Sequence, residues 1–361
     1  MICSAAGSSN RNAVPKNQSG EKPPGPTFPF MGRKEGEFVK FLRTPEGRFS
    51  NLPGYPFGPH YIEVPDTEGG KLRIHYVDEG PAAAPPVVLF HGEPTWSFLY
   101  RKMIPVIAGA GHRALAPDLV GFGKSDKPTR KTDYTFSRHV EWMRSWLLGL
   151  DLKNITFFGQ DWGSLIGLTI CALEESRVDR IMISNGGLPD PRHFERLIKA
   201  LESFSDDPEA FTRWQSWIEK QESLDIGKIM TGEVPELRFE NGVNLLLSDE
   251  ERAAYDAPFP DATYQAGALV FPLLAPRGPE DAETLKYFTE AWEVFDRWEK
   301  PFLTAYGKAD PILGWFDQIF QKYIPGAKGQ PHKAFPDGIH FIQEQYGPEL
   351  ARIMNEYIAA T

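Results

Sequence analysis

The segment GQDWG at residues 159–163 constrains the fold of this chain more than any other stretch. The apolar run ITFF, residues 155–158, precedes it, and a second apolar run follows from residue 165. A buried strand that turns sharply into a helix through two glycines is typical of a nucleophile elbow. The central residue of such an elbow is usually serine, whereas this chain has Asp161. The segment therefore predicts an α/β sheet whose nucleophile, above the carboxyl ends of the strands, is a carboxylate.

An aspartate at this position suits a different reaction from that of a serine. A serine that attacked a saturated carbon would form an ether, which is not readily broken. A carboxylate forms an ester, whose carbonyl a base-activated water can attack. The main-chain N–H of Trp162, at the start of the following helix, can donate to the resulting oxyanion. The alternative is an inactive scaffold, which predicts that the other catalytic groups have also been lost.

The other catalytic groups are present, and they occur in the expected chain order. Asp310 follows a predicted strand that ends at Tyr306, and His340 lies in a loop before the last predicted helix. Nucleophile, acid and histidine follow one another in this order in α/β-hydrolases. None of the other seven histidines combines this loop with this order, and the loop after the sixth predicted strand contains no carboxylate. Asp161, Asp310 and His340 are therefore the predicted catalytic residues.

A second loop, HGEPTW at residues 91–96, directly follows the apolar run VVLF. Its position after the third predicted strand indicates an oxyanion loop, in which the N–H of Glu93 is the second donor beside that of Trp162. For the side chain of Glu93 two interpretations stay open. It is either a polar group that orients the reactants or a solvated loop charge.

Apolar runs alternate with helical patterns from residue 61 onward. The predicted strands are residues 61–64, 73–78, 87–90, 113–116, 155–158, 180–184, 301–306 and 330–335. Continuously apolar runs are typical of strands that are buried on both faces, so we predict a mostly parallel sheet with helices on both sides. The alternation stops at residues 189–268, which predict a helical cap inserted after strand six. The expected fold is an eight-stranded α/β-hydrolase fold with its core at residues 39–188 and 269–361.

Four of these motifs together resemble a haloalkane dehalogenase. They are HGEPTW (91–96), GQDWG (159–163), GKAD (307–310) and GIHFIQE (338–344). The resemblance extends from about Phe41 to the C-terminus and is strongest to the subfamily whose catalytic acid follows strand seven. It implies Asp161 as nucleophile, His340 as base and Asp310 as the partner of the base. It also implies that the enzyme needs neither a cofactor nor a metal.

The resemblance further implies a halide site made of two indole N–H groups. One comes from Trp162, and the other from a cap tryptophan, for which Trp214 fits the family phrase better than Trp217. Core packing is the alternative for both cap residues. Indole N–H groups donate without reacting, and each donor counts for more in an apolar pocket. The remaining predicted pocket residues are Phe211, Phe259 and Leu165.

Two other functions account for part of the pattern. An epoxide hydrolase shares the aspartate and the histidine but needs a proton donor, usually a pair of cap tyrosines, for which Tyr255 and Tyr264 are candidates. A non-catalytic ligand receptor would not need the intact acid and base. We therefore predict hydrolysis of a small haloalkane to an alcohol, a halide and a proton through an ester on Asp161.

Composition limits the partners and the compartment. The net charge of −10, from 39 basic and 49 acidic residues, argues against nucleic-acid binding because no basic surplus displaces counterions. No apolar run is long enough for a membrane span. The two cysteines suit a reducing compartment. We expect a cytoplasmic monomer with a disordered extension at residues 1–38, for which an organellar targeting signal is the alternative.

Overall fold

The computed structural model describes residues 38–234, 245–276 and 279–361. Its central sheet contains β1 (His60–Pro65), β2 (Lys71–Glu79), β3 (Pro86–Phe90), β4 (Arg113–Pro117), β5 (Ile155–Asp161), β6 (Val178–Gly186), β7 (Phe302–Gly307) and β8 (Lys333–Phe335). The strand order across the sheet is β1-β2-β4-β3-β5-β6-β7-β8. β2 pairs antiparallel with β1 and β4, and all other neighbours are parallel. The predicted eight-stranded, mostly parallel sheet is confirmed.

Helices cover the sheet, and six of the described helices, α4 to α9, lie between β6 and β7 along the chain. They are α1 (Ile104–Gly109), α2 (Phe136–Gly149), α3 (Trp162–Leu173), α4 (Phe194–Phe204), α5 (Ala210–Ile218), α6 (Ile226–Thr231), α7 (Asp249–Asp256), α8 (Ala266–Val270), α9 (Ala282–Phe295), α10 (Asp317–Tyr323) and α11 (Ile342–Ala360). α2, α3 and α9 pack against one another, and α1 packs against α11. β3 and β7 are buried along their whole length between these helices. This explains why their sequences are apolar without alternation.

The helices α4 to α8 occupy the region for which the sequence predicts a cap. The predicted boundary at residue 268 falls inside α8, and α9 packs on α3 of the sheet layer. The division into core and cap stays a prediction. The predicted extension at residues 1–38 lies outside the described residues except for Phe38, whose side chain is exposed. Within the described ranges, no helix is both long and apolar enough to span a membrane.

Candidate active site

Asp161 is the last residue of β5 and stands at the sharp turn into α3, which begins at Trp162. Its φ of 51° and ψ of −131° are unusual for a residue with a side chain. Glycine is needed two residues later, because a Cβ on Gly163 would overlap the carbonyl oxygens of Phe90 and His91. The start of α3 therefore packs tightly against the end of β3, and this packing helps to fix the turn at Asp161.

Two main-chain N–H groups donate hydrogen bonds to the carboxylate of Asp161. The N–H of Glu93 donates to Oδ1 over 2.8 Å, and the N–H of Trp162 also donates to the carboxylate. The loop can approach this closely because a Cβ on Gly92 would collide with the Asp161 side chain. The structure thus brings both predicted oxyanion donors to the nucleophile.

The peptide between Gly92 and Glu93 is held in a fixed orientation. Its carbonyl oxygen accepts hydrogen bonds from the N–H of Thr95 (3.0 Å), from Oγ1 of Thr95 (2.9 Å) and from Nδ1 of His91 (2.9 Å). Nε2 of His91 accepts from the N–H of Leu119, so this imidazole carries its proton on Nδ1. With its oxygen anchored three times, the peptide points its N–H at the nucleophile.

His340 and Asp310 lie beside this centre and form a hydrogen-bonded pair. Nδ1 of His340 is 2.9 Å from Oδ2 of Asp310. The same oxygen accepts from Nδ2 of Asn185 over 2.9 Å, while Oδ1 accepts from the N–H groups of Ile312 (2.9 Å) and Leu313 (3.2 Å). Every described contact of the Asp310 carboxylate therefore favours its ionised form. Nε2 of His340 faces the nucleophile, 3.6 Å from Oδ2 of Asp161.

The charges in this cluster shift one another's pKa values. Burial lowers the pKa of His340, but the charge of Asp310, the hydrogen bond to it and the charge of Asp161 outweigh burial and raise the pKa to about 9. Burial alone would raise the pKa of Asp310, yet His340 and the donors around the carboxylate hold it below the usual value. Burial raises the pKa of Asp161, against the opposing effect of His340 and the two N–H groups. The charges of Asp310 and Asp161 therefore favour the protonated form of His340.

The side chain of Glu93 is buried beside the nucleophile, with 5% of its surface exposed. Its Oε1 has no hydrogen-bond partner among the described residues. Burial, and then the charge of Asp161, raise the pKa of Glu93 well above its usual value. The interpretation of this side chain as a solvated loop charge is wrong, because the carboxyl is buried.

A cavity of about 370 Å³ opens above Asp161. Most of its wall is apolar and comes from α4, α5, α9 and the loop after β7. The predicted pocket residues Leu165 and Phe211 line it, as does Trp162. The Trp162 ring packs edge-on against Phe271 at 5.2 Å between centroids, and no described residue accepts a hydrogen bond from its Nε1. An indole donor without a partner in an apolar wall can bind an anion.

Two predicted site residues lie elsewhere. Trp214 does not line the cavity but stacks on Trp217, at 5.4 Å between ring centroids and 19° between planes. Phe211 and Gln215 line the cavity from the same helix, so the helix turns Trp214 away from it. Phe259 is also absent from the wall, because it is buried against Phe122 at 6.4 Å between centroids.

Substitution of the two tryptophans separates their roles. Trp162→Phe is expected to raise the inhibition constant of bromide about 10-fold to 100-fold, because a donor to a buried anion is lost. Trp214→Phe, whose ring lies outside the cavity, is expected to change it by less than about twofold. Steady-state inhibition by sodium bromide measures both values. An equal loss in the two variants would restore Trp214 as the cap donor.

Three residues at the site were missed by the sequence analysis. Nδ2 of Asn185, at the end of β6, holds Asp310 and also donates to the carbonyl of Gly307. Nε2 of Gln160 lies 3.1 Å from Nε2 of His340. Trp315 lines the cavity, and its buried Nε1 has no partner among the described residues. Polar residues at the carboxyl ends of buried strands were the available signal for the first two.

No group of three or more His, Cys, Asp or Glu side chains in the described part of the chain is arranged to hold a metal ion.

The elbow, the acid after strand seven and the histidine before the last helix define an α/β hydrolase. The family model described as "alpha/beta hydrolase fold" matches residues 85–345. The chain is 48% identical over 310 residues to the haloalkane dehalogenase of Mycobacterium marinum, covering 86% of this chain and 97% of that protein. It is 50% identical over 321 residues to haloalkane dehalogenase 1 of Mycobacterium tuberculosis, with coverages of 89% and 99%.

A solved structure agrees with these relatives. The tetrameric haloalkane dehalogenase DpaA from Paraglaciecola agarilytica superimposes with a TM-score of 0.74 at 34% identity, over 87% of this chain and 97% of that one. The chain belongs to the haloalkane dehalogenase family. The resemblance inferred from the four sequence motifs is confirmed.

Proposed function

We propose that this protein hydrolyses small haloalkanes to an alcohol, a halide and a proton through an ester formed on Asp161. The observation that carries the proposal is the placement of one carboxylate. Asp161 lies at the floor of an apolar cavity, under two N–H donors and 3.6 Å from the imidazole of His340. The similarity to curated haloalkane dehalogenases supports the same activity.

The first step is a displacement at saturated carbon. An oxygen of Asp161 attacks the carbon opposite the halogen, the C–O bond forms, and the electron pair of the C–X bond leaves with the halide. The indole N–H of Trp162 can donate to the leaving halide, because the indole lines the cavity and has no other acceptor among the described residues. The second donor that the sequence predicts, Trp214, would have to turn toward the cavity, and the Trp214→Phe variant tests whether it does.

The second step is hydrolysis of the ester. Formation of the ester removes the negative charge of Asp161, so one of the charges that raise the pKa of His340 disappears. His340 then takes a proton from water as the water oxygen attacks the ester carbon. The N–H groups of Glu93 and Trp162 stabilise the oxyanion. Collapse of this intermediate expels the alkoxide, which receives the proton from His340 and leaves as the alcohol. Asp161 is left as a carboxylic acid and releases the second proton of the water, which regenerates the carboxylate.

Epoxide hydrolysis is not favoured. Tyr255, one of the two candidate proton donors, is fully buried, and its hydroxyl donates to Glu344. Tyr264, the other candidate, does not line the cavity above Asp161. Neither hydroxyl therefore faces a bound epoxide.

Two substrates given to the same preparation distinguish the candidate functions. With 1,2-dibromoethane we expect bromide and 2-bromoethanol in equal amounts, measured by ion chromatography and gas chromatography. Styrene oxide is expected to yield no diol. Diol formation without bromide release would support an epoxide hydrolase, and inertness toward both compounds would support a ligand receptor.

The oligomeric state and the compartment are further parts of the proposal. We expect a monomer, although DpaA is described as tetrameric. Light scattering on a size-exclusion column measures the mass in solution against 40.7 kDa for one chain. The expected cytoplasmic location rests on the scarcity of cysteine alone.

A further inference from the structure

The side-chain amide nitrogen of Gln160 makes two contacts, and both are with His340. The Gln160 side chain is fully buried at the end of β5, one residue before the nucleophile. Nε2 of Gln160 lies 3.1 Å from Nε2 of His340 and 3.2 Å from the carbonyl oxygen of His340. Oε1 of the same amide is buried and has no partner among the described residues. The amide therefore makes all its described hydrogen bonds with one residue.

The orientation of this amide follows from its neighbours. If the amide were turned over, Oε1 would face the carbonyl oxygen of His340 at about the 3.2 Å that now separates the oxygen from Nε2. Two acceptors would then oppose each other, and the NH₂ group would occupy the place where Oε1 has no partner. In this orientation the amide can only donate to Nε2, so the contact favours the neutral imidazole, whose Nε2 carries no proton.

We propose that Gln160 is a positioning residue that holds His340 in the neutral tautomer needed for ester hydrolysis. On one side Asp310 accepts a hydrogen bond from the N–H at Nδ1, and on the other the Gln160 amide donates to the lone pair of Nε2. A carboxamide does not titrate, so it can donate at every pH at which Nε2 carries no proton. When water enters, its proton takes the place of the amide hydrogen at Nε2. The proposal deepens the proposed function and rests on it.

This donation opposes the charged groups around the imidazole. The charged groups that act on His340 are Asp310, after β7, and Asp161, at the end of β5. Both carboxylates favour the imidazolium and raise the pKa of His340. Glu344, four residues further along the chain, is paired with Arg101 and Lys102. In the ester only Asp310 still favours the imidazolium. The Gln160 amide then has its largest effect on the pKa of His340.

The test measures how ester hydrolysis depends on pH in a variant that lacks the donor. In Gln160→Met, the midpoint of the rise in rate with pH is expected to move up by about 0.5 to 1 unit, because the neutral imidazole loses a hydrogen bond. Gln160→Glu, which accepts when it is ionised, is expected to move it further in the same direction. Rapid quenching followed by mass spectrometry gives the decay of the ester across the pH range in a single turnover.

Gln343 supplies a matched control. It is also fully buried, and its side-chain nitrogen and oxygen have no partners among the described residues. Gln343→Met is expected to leave the midpoint where it is in the parent protein. An unmoved or lowered midpoint in Gln160→Met and Gln160→Glu would overturn the inference, and the second variant carries the test if the first does not fold. Absence of any ester in the parent protein would instead contradict the proposed function.

Discussion

A His340→Phe variant given 1,2-dibromoethane is expected to release one bromide per protein and then stop. The first step needs the carboxylate of Asp161, whereas the second needs a base at Nε2, which lies 3.6 Å from that carboxylate. Phenylalanine has a similar shape but cannot take a proton. Turnover is therefore expected to fall by about 10³-fold or more while the burst of bromide remains.

The trapped ester can be weighed directly. The intact variant should gain the mass of one bromoethyl group, and peptide mapping should place the group on Asp161. His60→Phe is the control, because His60 is exposed on β1 at the edge of the sheet. It should turn over at the rate of the parent protein. Full turnover by His340→Phe, or an adduct on any other residue, would show that the histidine is assigned wrongly.

An Asp161→Ala variant is expected to lose both steps. Without the carboxylate no ester forms, so neither a bromide burst nor an adduct should appear, and turnover should fall by about 10⁴-fold or more. The N–H groups of Glu93 and Trp162 converge on the carboxylate that alanine lacks.

A variant at a second carboxylate, away from the site, is the control for Asp161→Ala. Asp151→Ala removes an exposed carboxylate that pairs with Lys153 and Arg177. It is expected to leave turnover unchanged. If Asp161→Ala still released a stoichiometric burst of bromide, another group would be the nucleophile.

The central strands could be predicted because their apolar runs are buried on both faces, and all eight predicted runs overlap strands of the sheet. Helix ends were harder to predict. α11 begins at Ile342, six residues before Pro348, which stands inside the helix. Proline usually opens a helix, but here it follows a kink at Tyr346, where φ is −122° and ψ is 17°. A first helical turn before the kink is not visible in the pattern.

Chain order was enough to predict Asp161, Asp310 and His340 together, because parallel strands bring their carboxyl ends to one edge of the sheet. The direction in which the Trp214 side chain points could not be predicted in this way. A motif places a residue on a helix, but the rotation of that helix about its axis depends on packing against other elements. In α5 the face with Phe211 and Gln215 turns to the cavity, and Trp214 turns to Trp217.

Gln160 and Asn185 could not be assigned from sequence for a related reason. Each is a polar residue near the end of a strand that is otherwise apolar, and its partner lies far away in the chain. Only the parallel neighbours β5, β6 and β7 bring these amides to His340 and Asp310. The pattern indicates that such a residue needs a partner, but not which one.

Oxygen-18 labelling in one round of reaction tests the covalent route most directly. Excess protein is mixed with 1,2-dibromoethane in heavy-oxygen water, quenched after one turnover and digested. The ester route predicts one heavy oxygen in the peptide that contains Asp161 and none in the 2-bromoethanol, because water attacks the carboxyl carbon. Heavy oxygen in the alcohol, with an unlabelled peptide, would mean that water attacks the substrate directly and would contradict the account.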